Sequence, residues 1–248
     1  MFINKDRVKD HIVKRLTLVD HKELPLIKEK IVLTQQPISV GFVNQHAYNL
    51  IHNDVNIKDS FDSLTYQFRD GMGLKIACKL NNCSPGVNLN GTDFIPSLVN
   101  LYLEKNSNSN VFVFGTQEPW LSTGSKNLLN SHQVTLLDGF KDIDDYLFEL
   151  ADSLSLNQKT LIILAMGMPK QELLAKEILK VAKGPVLVIC GGAVIDFLAN
   201  RFTRAPKLFR MFGLEWLYRL LVEPKRLFKR YVIGIPKFFF YILINRNI

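Results

Sequence analysis

The chain lacks the features that would staple it, thread it through a membrane or equip it as a hydrolytic metalloenzyme. Its cysteines are Cys78, Cys83 and Cys190, an odd number with no Cys-x-x-Cys pair and no histidine at ligand spacing. That pattern argues against a disulfide scaffold and a zinc site, and it fits a reducing compartment. The first ten residues alternate charged and apolar without an apolar h-region, so no secretory signal is expected. The longest nearly apolar stretch, Tyr231 to Ile244, runs about 14 residues and is broken by Pro236 and Lys237, short of the roughly 20 that a spanning helix requires. There is no G-x-G-x-x-G, no P-loop and no H-E-x-x-H, and the five histidines fall in no triad order. What the chain does have is 248 residues, 47% of them apolar, with 22% charge and 17 Phe, which excludes a disordered polymer and allows a large α/β domain with a real core.

The net charge of +8 is unevenly placed. Residues 201–248 carry 11 of the 31 Lys and Arg against only Glu215 and Glu223, so the basic character belongs to this tail and the first 200 residues are close to neutral. The same segment holds 11 aromatic residues. Cations interleaved with rings suit either nucleic acid or an anionic membrane surface. Leu208, Phe209, Phe212, Trp216, Leu217, Leu220 and Leu221 recur at helical spacing, and Phe238 to Leu243 has no polar face. That much apolar surface favours a membrane or a protein partner over RNA, and each cation near an anionic leaflet adds about 1 kcal/mol. A solvated charged face over an apolar core is the plainer account of the same pattern.

Along the chain, Ile38–Val43 reads as a strand running into Asn44 and a helix through Ile51. Leu74–Ala77, Val111–Phe114, Val134–Leu137, Leu161–Ala165 and Val186–Cys190 are further apolar runs read as strands, and the last four each stop at or near a glycine. Helices are expected over Thr92–Glu104, Thr123–Leu129, Asp142–Leu154 and Pro169–Val181, the last with proline at its first position. Residues 1–36 suggest no element. Alternation of strands and helices implies parallel β-α-β units, whose ligands bind beyond the carboxyl ends of the strands. The expected architecture is a Rossmann-like α/β catalytic domain over residues 1–200 with a helical, basic-aromatic appendage over residues 201–248.

Several residues could carry chemistry. Asp70 in Arg69-Asp70-Gly71 is either a turn residue or a general base that a hydroxyl can approach closely. Asp142-Ile143-Asp144-Asp145 could hold a cation and diphosphate, as in metal-dependent sugar transferases, but acidic residues opening a helix also complement its dipole. In Gly167-Met168-Pro169-Lys170-Gln171, a strand end meets a helix start where free N–H groups attract anions, with Lys170 and Gln171 aimed at the crevice. Gly191-Gly192 with Asp196 is a second such turn, in which Asp196 holds a sugar hydroxyl or caps backbone. Arg204 precedes a helix, and Lys225, Arg226, Lys229 and Arg230 form a basic stripe suited to a lipid diphosphate.

Taken together, Asp70-Gly71, Leu89-Asn90-Gly91-Thr92-Asp93, Asp138-Gly139-Phe140, the Gly167 to Glu172 turn, Gly191-Gly192 with Asp196, Arg204-Ala205-Pro206, and Gly213-Leu214-Glu215-Trp216-Leu217-Tyr218-Arg219 through Arg230-Tyr231 resemble the WecG/TagA/CpsF family of bacterial glycosyltransferases over about residues 38–235. The resemblance implies an inverting, metal-independent and cofactor-free transfer from a nucleotide-sugar, usually a UDP-sugar, to a polyprenyl-diphosphate-linked saccharide. It places the protein peripherally on the cytoplasmic face of the plasma membrane, making surface polysaccharide or wall polymer. It implies Asp70 as base, with donor and acceptor contacts from Asn44, Gly71, Asp138, Gly167, Pro169, Lys170, Gln171, Gly191, Gly192 and Asp196. Lipid-diphosphate and membrane contacts fall to Arg204, Arg219, Lys225, Arg226, Lys229 and Arg230. Nucleic acid is not an expected partner, and association between copies of the chain is left open. Phe42 and Asn88 depart from the Thr and Arg common in the family. A binding protein with a degenerate transferase site, associated with membrane or RNA, is the rival reading.

Overall fold

Six short runs rich in β-branched and aromatic residues form one all-parallel sheet in the order β2-β1-β6-β5-β3-β4. The computed structural model describes residues 5–130, 132–155 and 158–247. The chain opens with α1 (His11–Arg15) and α2 (Leu24–Val32), then β1 (Ile38–Val43), α3 (Gln45–Asn53), α4 (Val55–Asp62), β2 (Tyr66–Arg69), α5 (Gly71–Leu80) and α6 (Gly91–Lys105). It continues through β3 (Asn110–Gly115), α7 (Trp120–Leu129), β4 (Thr135–Asp138), α8 (Ile143–Ser155), β5 (Thr160–Ala165), α9 (Lys170–Val181), β6 (Val186–Cys190) and α10 (Val194–Leu198). The tail forms α11 (Lys207–Met211), α12 (Glu215–Val222), α13 (Pro224–Phe228), a π-helical turn at Lys229–Ile233, and α14 (Gly234–Asn247).

Strands β5 and β6 are buried along their whole length, as expected for a parallel sheet covered on both faces. One face packs Tyr48, Phe61, Phe114, Tyr146 and Leu174, and the other packs Phe42, Phe68, Phe94, Tyr102 and Ile195. Side-chain caps fix where several helices start. Asp10, Asn44, Asp54 and Asn90 each accept backbone N–H groups of the first turn that follows.

Three readings from the sequence need correction. Leu74–Ala77 is not a strand but part of α5, where Leu74, Ala77 and Cys78 face the core at spacings of three and four. The strand at that end of the sheet is instead Tyr66–Arg69, whose alternate polar residues Gln67 and Arg69 are also buried and hide the usual strand pattern. In addition, residues 1–36 contain α1 and α2, and Pro169 sits at the N-cap of α9 rather than inside it.

The last 48 residues are not uniform. Helices α11 and α12 bury no residue, whereas α14 lies against α3 and places Phe238 and Ile242 in the same cluster as Val13, Tyr48 and Leu74. The Tyr48 hydroxyl donates to Asp10 Oδ2 (2.6 Å) and accepts from Asn245 Nδ2 (2.8 Å), so one buried network joins the segment before α1, α3 and α14. Asn49 Nδ2 donates to the Gly234 carbonyl at 2.7 Å, a second tie between α3 and the tail. Among the described residues, no helix is long and apolar enough to cross a membrane.

Candidate active site

The carboxyl ends of β1, β2, β5 and β6 open into a cleft of about 870 Å³. Asn44, Asp70, Gly71, Gly167, Gln171, Gly191 and Gly192 line it from the sheet side, and Arg210, Glu215, Trp216, Arg219, Arg226 and Arg230 line it from the tail. A crevice at this place is what the strand order dictates, because the loops that follow parallel strands all emerge on one edge.

Asp70 occupies the N-cap position of α5, yet its side chain caps nothing. The carboxylate is therefore free to face the cleft. Gly71 has φ +86°, a left-handed conformation that a side chain would strain, and a Cβ there would meet no atom within 4 Å, so the space beside Asp70 is open. Asn88 does the capping: its Oδ1 accepts from Gly71 N–H (2.8 Å) and from Arg69 Nη1 (3.2 Å). Arg69 also donates to the carbonyls of Pro85 (2.7 Å), Gly71 (2.9 Å) and Gly86 (3.2 Å), which ties the 85–88 loop to the end of β2. The residue that departs from the family pattern thus holds the Asp70-Gly71 turn from behind.

Burial pushes the Asp70 carboxyl up to about 6, and the negative charge of Glu215 pushes in the same direction. Arg230, a hydrogen bond from Asn44, and Arg219 pull the other way. Asn44 can supply that bond because its Oδ1 is occupied by the N–H groups of His46 (3.0 Å) and Ala47 (3.1 Å), leaving its amide nitrogen to donate. His46 is driven down to about 4 by burial and by Arg230, so it is neutral near pH 7. Phe42 packs among Phe68 and Phe94 with its ring against the cleft wall, contributing shape and no hydrogen bond.

On the β5 and β6 side, Gln171 Oε1 accepts from Gly192 N–H (2.9 Å) and its Nε2 donates to Glu172 Oε1 (2.7 Å). Gln171 therefore pins the Gly191-Gly192 turn. Glu172 is fully buried, and burial pushes its carboxyl up to about 7.

Other expected site residues lie elsewhere. Lys170 turns away from the cleft: its Nζ donates to the carbonyls of Gly139 (3.0 Å) and Lys141 and lies 5.3 Å from the Tyr146 ring. Asp138 Oδ1 accepts from Phe140 N–H (2.9 Å), and neither it nor Pro169 lines the cleft. Asp196 pairs with Arg201 (3.0 Å), whose guanidinium also donates to Thr116 Oγ1 (2.6 Å) and stacks over Trp120 at 4.1 Å. Arg204 pairs with Asp93. Arg226 reaches the cleft while gripping Glu223 through two bonds of 2.7 and 2.9 Å. Lys229 lines a second cavity adjoining the cleft, and Lys225 lines neither of the two. Asp142, Asp144 and Asp145 open α8, with Asp145 accepting from Asp142 N–H at 3.2 Å. Among the described residues no three His, Cys, Asp or Glu side chains group to hold a metal ion.

The sequence reading assigned no role to Arg69, His46 and Glu215. Glu215 stands within one of the quoted motifs, and a lone acid in a strongly basic tail was the available signal for it. Arg69 and His46 gave none, since a buried arginine bonded to carbonyls looks like any strand-end charge. The assembled cleft is a carboxyl group poised near neutrality under a canopy of arginines, with two glycine turns opposite. It can activate a hydroxyl while neutralising a phosphate leaving group.

A family profile for the glycosyl transferase WecG/TagA/CpsF family matches residues 13–247. An N-acetylglucosaminyldiphosphoundecaprenol N-acetyl-beta-D-mannosaminyltransferase from Bacillus spizizenii is 28% identical over 171 residues, 68% of this chain and 64% of that protein. The match thus spans a little under two thirds of the relative's length.

Proposed function

The chain belongs to the WecG/TagA/CpsF family of glycosyl transferases, and from that premise we propose that it transfers a sugar from a nucleotide-sugar, of the UDP-sugar type, to a polyprenyl-diphosphate-linked saccharide by a single inverting displacement. The observation that carries this reading is Asp70, an uncapped carboxylate poised near neutrality in a cleft walled by Arg219, Arg226 and Arg230. The Bacillus spizizenii relative is named for action on an undecaprenyl-diphosphate-linked sugar, which supports the acceptor class.

In the proposed reaction the acceptor hydroxyl gives its proton to the Asp70 carboxylate as its oxygen bonds to the anomeric carbon. The bond from that carbon to the donor phosphate breaks on the opposite face, and the nucleoside diphosphate leaves with the electron pair. Inversion follows from one displacement. Asn44 orients Asp70, and Glu215 keeps its proton affinity high enough to take a proton near pH 7. The arginines and the N–H groups of the Gly167 turn meet the developing diphosphate charge, so the scheme uses no cation.

The tail would dock the protein on the cytoplasmic face of the membrane. Leu208, Met211, Phe212, Leu221 and Phe228 are exposed among Lys207, Arg210, Lys225 and Lys229, a combination suited to an anionic interface. The test is single-turnover transfer from a panel of UDP-sugars to a polyprenyl-diphosphate monosaccharide in liposomes, with chelator present. Transfer by the wild type and a loss of at least about 100-fold in Asp70→Asn are expected. Donor binding without turnover by the wild type on every acceptor would replace the enzyme with a binding protein.

A further inference from the structure

Behind the cleft, between α3 and the π-helical turn, lies a second cavity of about 530 Å³. Its size is within the range of small-ligand sites. His46, Arg226 and Arg230 stand in the wall between the two spaces, whereas Lys229, Lys237, Asn49 and Asn53 belong to the second alone. No carboxylate lines this cavity. Arg226 has its own partner in Glu223, but the enclosed Arg230 leaves its Nε without an acceptor among the described residues. A buried guanidinium edge with no acceptor is costly, and two solvated lysines beside it add positive potential at the cavity mouth. The arrangement calls for an anion with several acceptor oxygens.

The surroundings say what kind. Arg230 lies in the wide turn Lys229–Ile233, a rare helical form that recurs at functional sites. The same stretch leaves Phe228, Val232, Ile233 and Phe240 exposed, and Ile233 forms part of the cavity wall. An anion held there would therefore sit beside apolar surface. Neutral His46 adds hydrogen-bonding capacity but no charge, so the positive potential comes from the arginines and lysines.

We propose that this second cavity binds the phosphodiester headgroup of an anionic glycerophospholipid, separately from the acceptor diphosphate in the Asp70 cleft. The proposal rests on the membrane-surface part of the functional reading and not on the transfer chemistry. Because Arg226 and Arg230 belong to both walls, an occupied headgroup site would fix the arginines that face Asp70, linking membrane docking to the order of the cleft.

The test is calorimetric titration of the full chain with dihexanoyl phosphatidylglycerol below its micelle concentration, alongside dihexanoyl phosphatidylcholine, geranyl diphosphate and inorganic phosphate. The proteins are wild type, Lys229→Ala/Lys237→Ala, and Lys105→Ala as a control that removes charge outside the tail. All three lysines are exposed, and matching thermal midpoints will show that the variants fold. Saturable phosphatidylglycerol binding is expected, weakened at least tenfold in the double variant and less than twofold in the control. Phosphatidylcholine and phosphate should bind at least tenfold more weakly than phosphatidylglycerol, and geranyl diphosphate should be affected less than twofold by the double substitution. Equal phosphatidylglycerol affinity in double variant and control would overturn the site. So would equal binding of phosphatidylcholine, which would indicate apolar contact only, or of inorganic phosphate, which would indicate a free-anion site. A parallel loss of geranyl diphosphate would assign the cavity to the acceptor. Absence of sugar transfer would count against the enzyme reading and leave the phosphatidylglycerol result standing by itself.

Discussion

Asn88 and Glu172 show how much of the site depends on side chains that hold their neighbours in place. Asn88 Oδ1 holds both Gly71 N–H and Arg69, so Asn88→Ala should leave a backbone donor without its acceptor and loosen the turn that presents Asp70. We expect about 1–2 kcal/mol lost in urea unfolding and a fall in kcat of roughly tenfold with little change in donor KM, while Asn88→Asp, which keeps the oxygen, recovers most of the stability. Glu172 is pushed up to about 7 by burial, so the folded state binds its proton more tightly than the unfolded chain does. Its contribution to stability is therefore present at low pH and is lost as pH rises from the ordinary carboxylate range through about 7. Glu172→Gln, isosteric and uncharged, should be more stable than wild type at pH 8 by about 2 kcal/mol and close to it at pH 4, measured by unfolding at both values. At this scale the strand running into Asn44 could be read from the sequence, whereas the strand that ends at Arg69 and presents Asp70 could not, because its polar residues are buried too. The sequence misled at Lys170, because a long side chain at a helix start can swing to either side, and here the Gly139 and Lys141 carbonyls with the Tyr146 ring draw it away.

Among the elements, α5 and α14 are the instructive ones. The run Leu74–Ala77 is too short for its period to separate strand from helix, and the flanking glycines Gly71 and Gly73 suggested a turn rather than a helix start. The longer, cleanly bounded β3, β5, β6 and α6 gave no such trouble. For α14 the difficulty was different: an all-apolar hexad names no face, so only the fold reveals that Phe238 meets Tyr48 edge-on at 5.1 Å while Phe240 stays exposed. Phe238→Ala should cost about 3–5 kcal/mol, read as a lower urea midpoint, whereas Phe240→Ala should change stability by less than about 0.5 kcal/mol. For the same reason a truncation at residue 200 should lose far more than the exposed α11 and α12, since Phe238, Ile242 and Asn245 all leave the core with it.

Over the whole molecule, the basic tail and the proposed base converge on one edge. The near-neutral first 200 residues supply Asp70 and the glycine turns, while the basic tail supplies the arginines above them, so the cleft is complete only when both are present. Binding to phosphatidylglycerol vesicles should accordingly weaken at least tenfold between about 0.05 and 0.5 M salt, with sedimentation as the readout, because the Debye length shrinks to a few ångströms over that range. The parallel α/β class and the position of the crevice could be read from strand ends alone. The meeting of Glu215 with Asp70 could not, as it joins residues far apart in sequence through a tail whose docking no local pattern encodes.

That meeting offers the most direct test of the central claim, that Asp70 is the base and that Glu215 of the tail adds to burial in raising its proton affinity. The measurement is the pH dependence of single-turnover sugar transfer for wild type and Glu215→Gln. With the Asp70 carboxyl held up to about 6, partly by Glu215, transfer by the wild type should fall as pH drops through 6, and removing the negative charge at residue 215 should move that acid limb to lower pH. An acid limb at the same pH in both proteins, or one that persists in the residual activity of Asp70→Asn, would contradict the account.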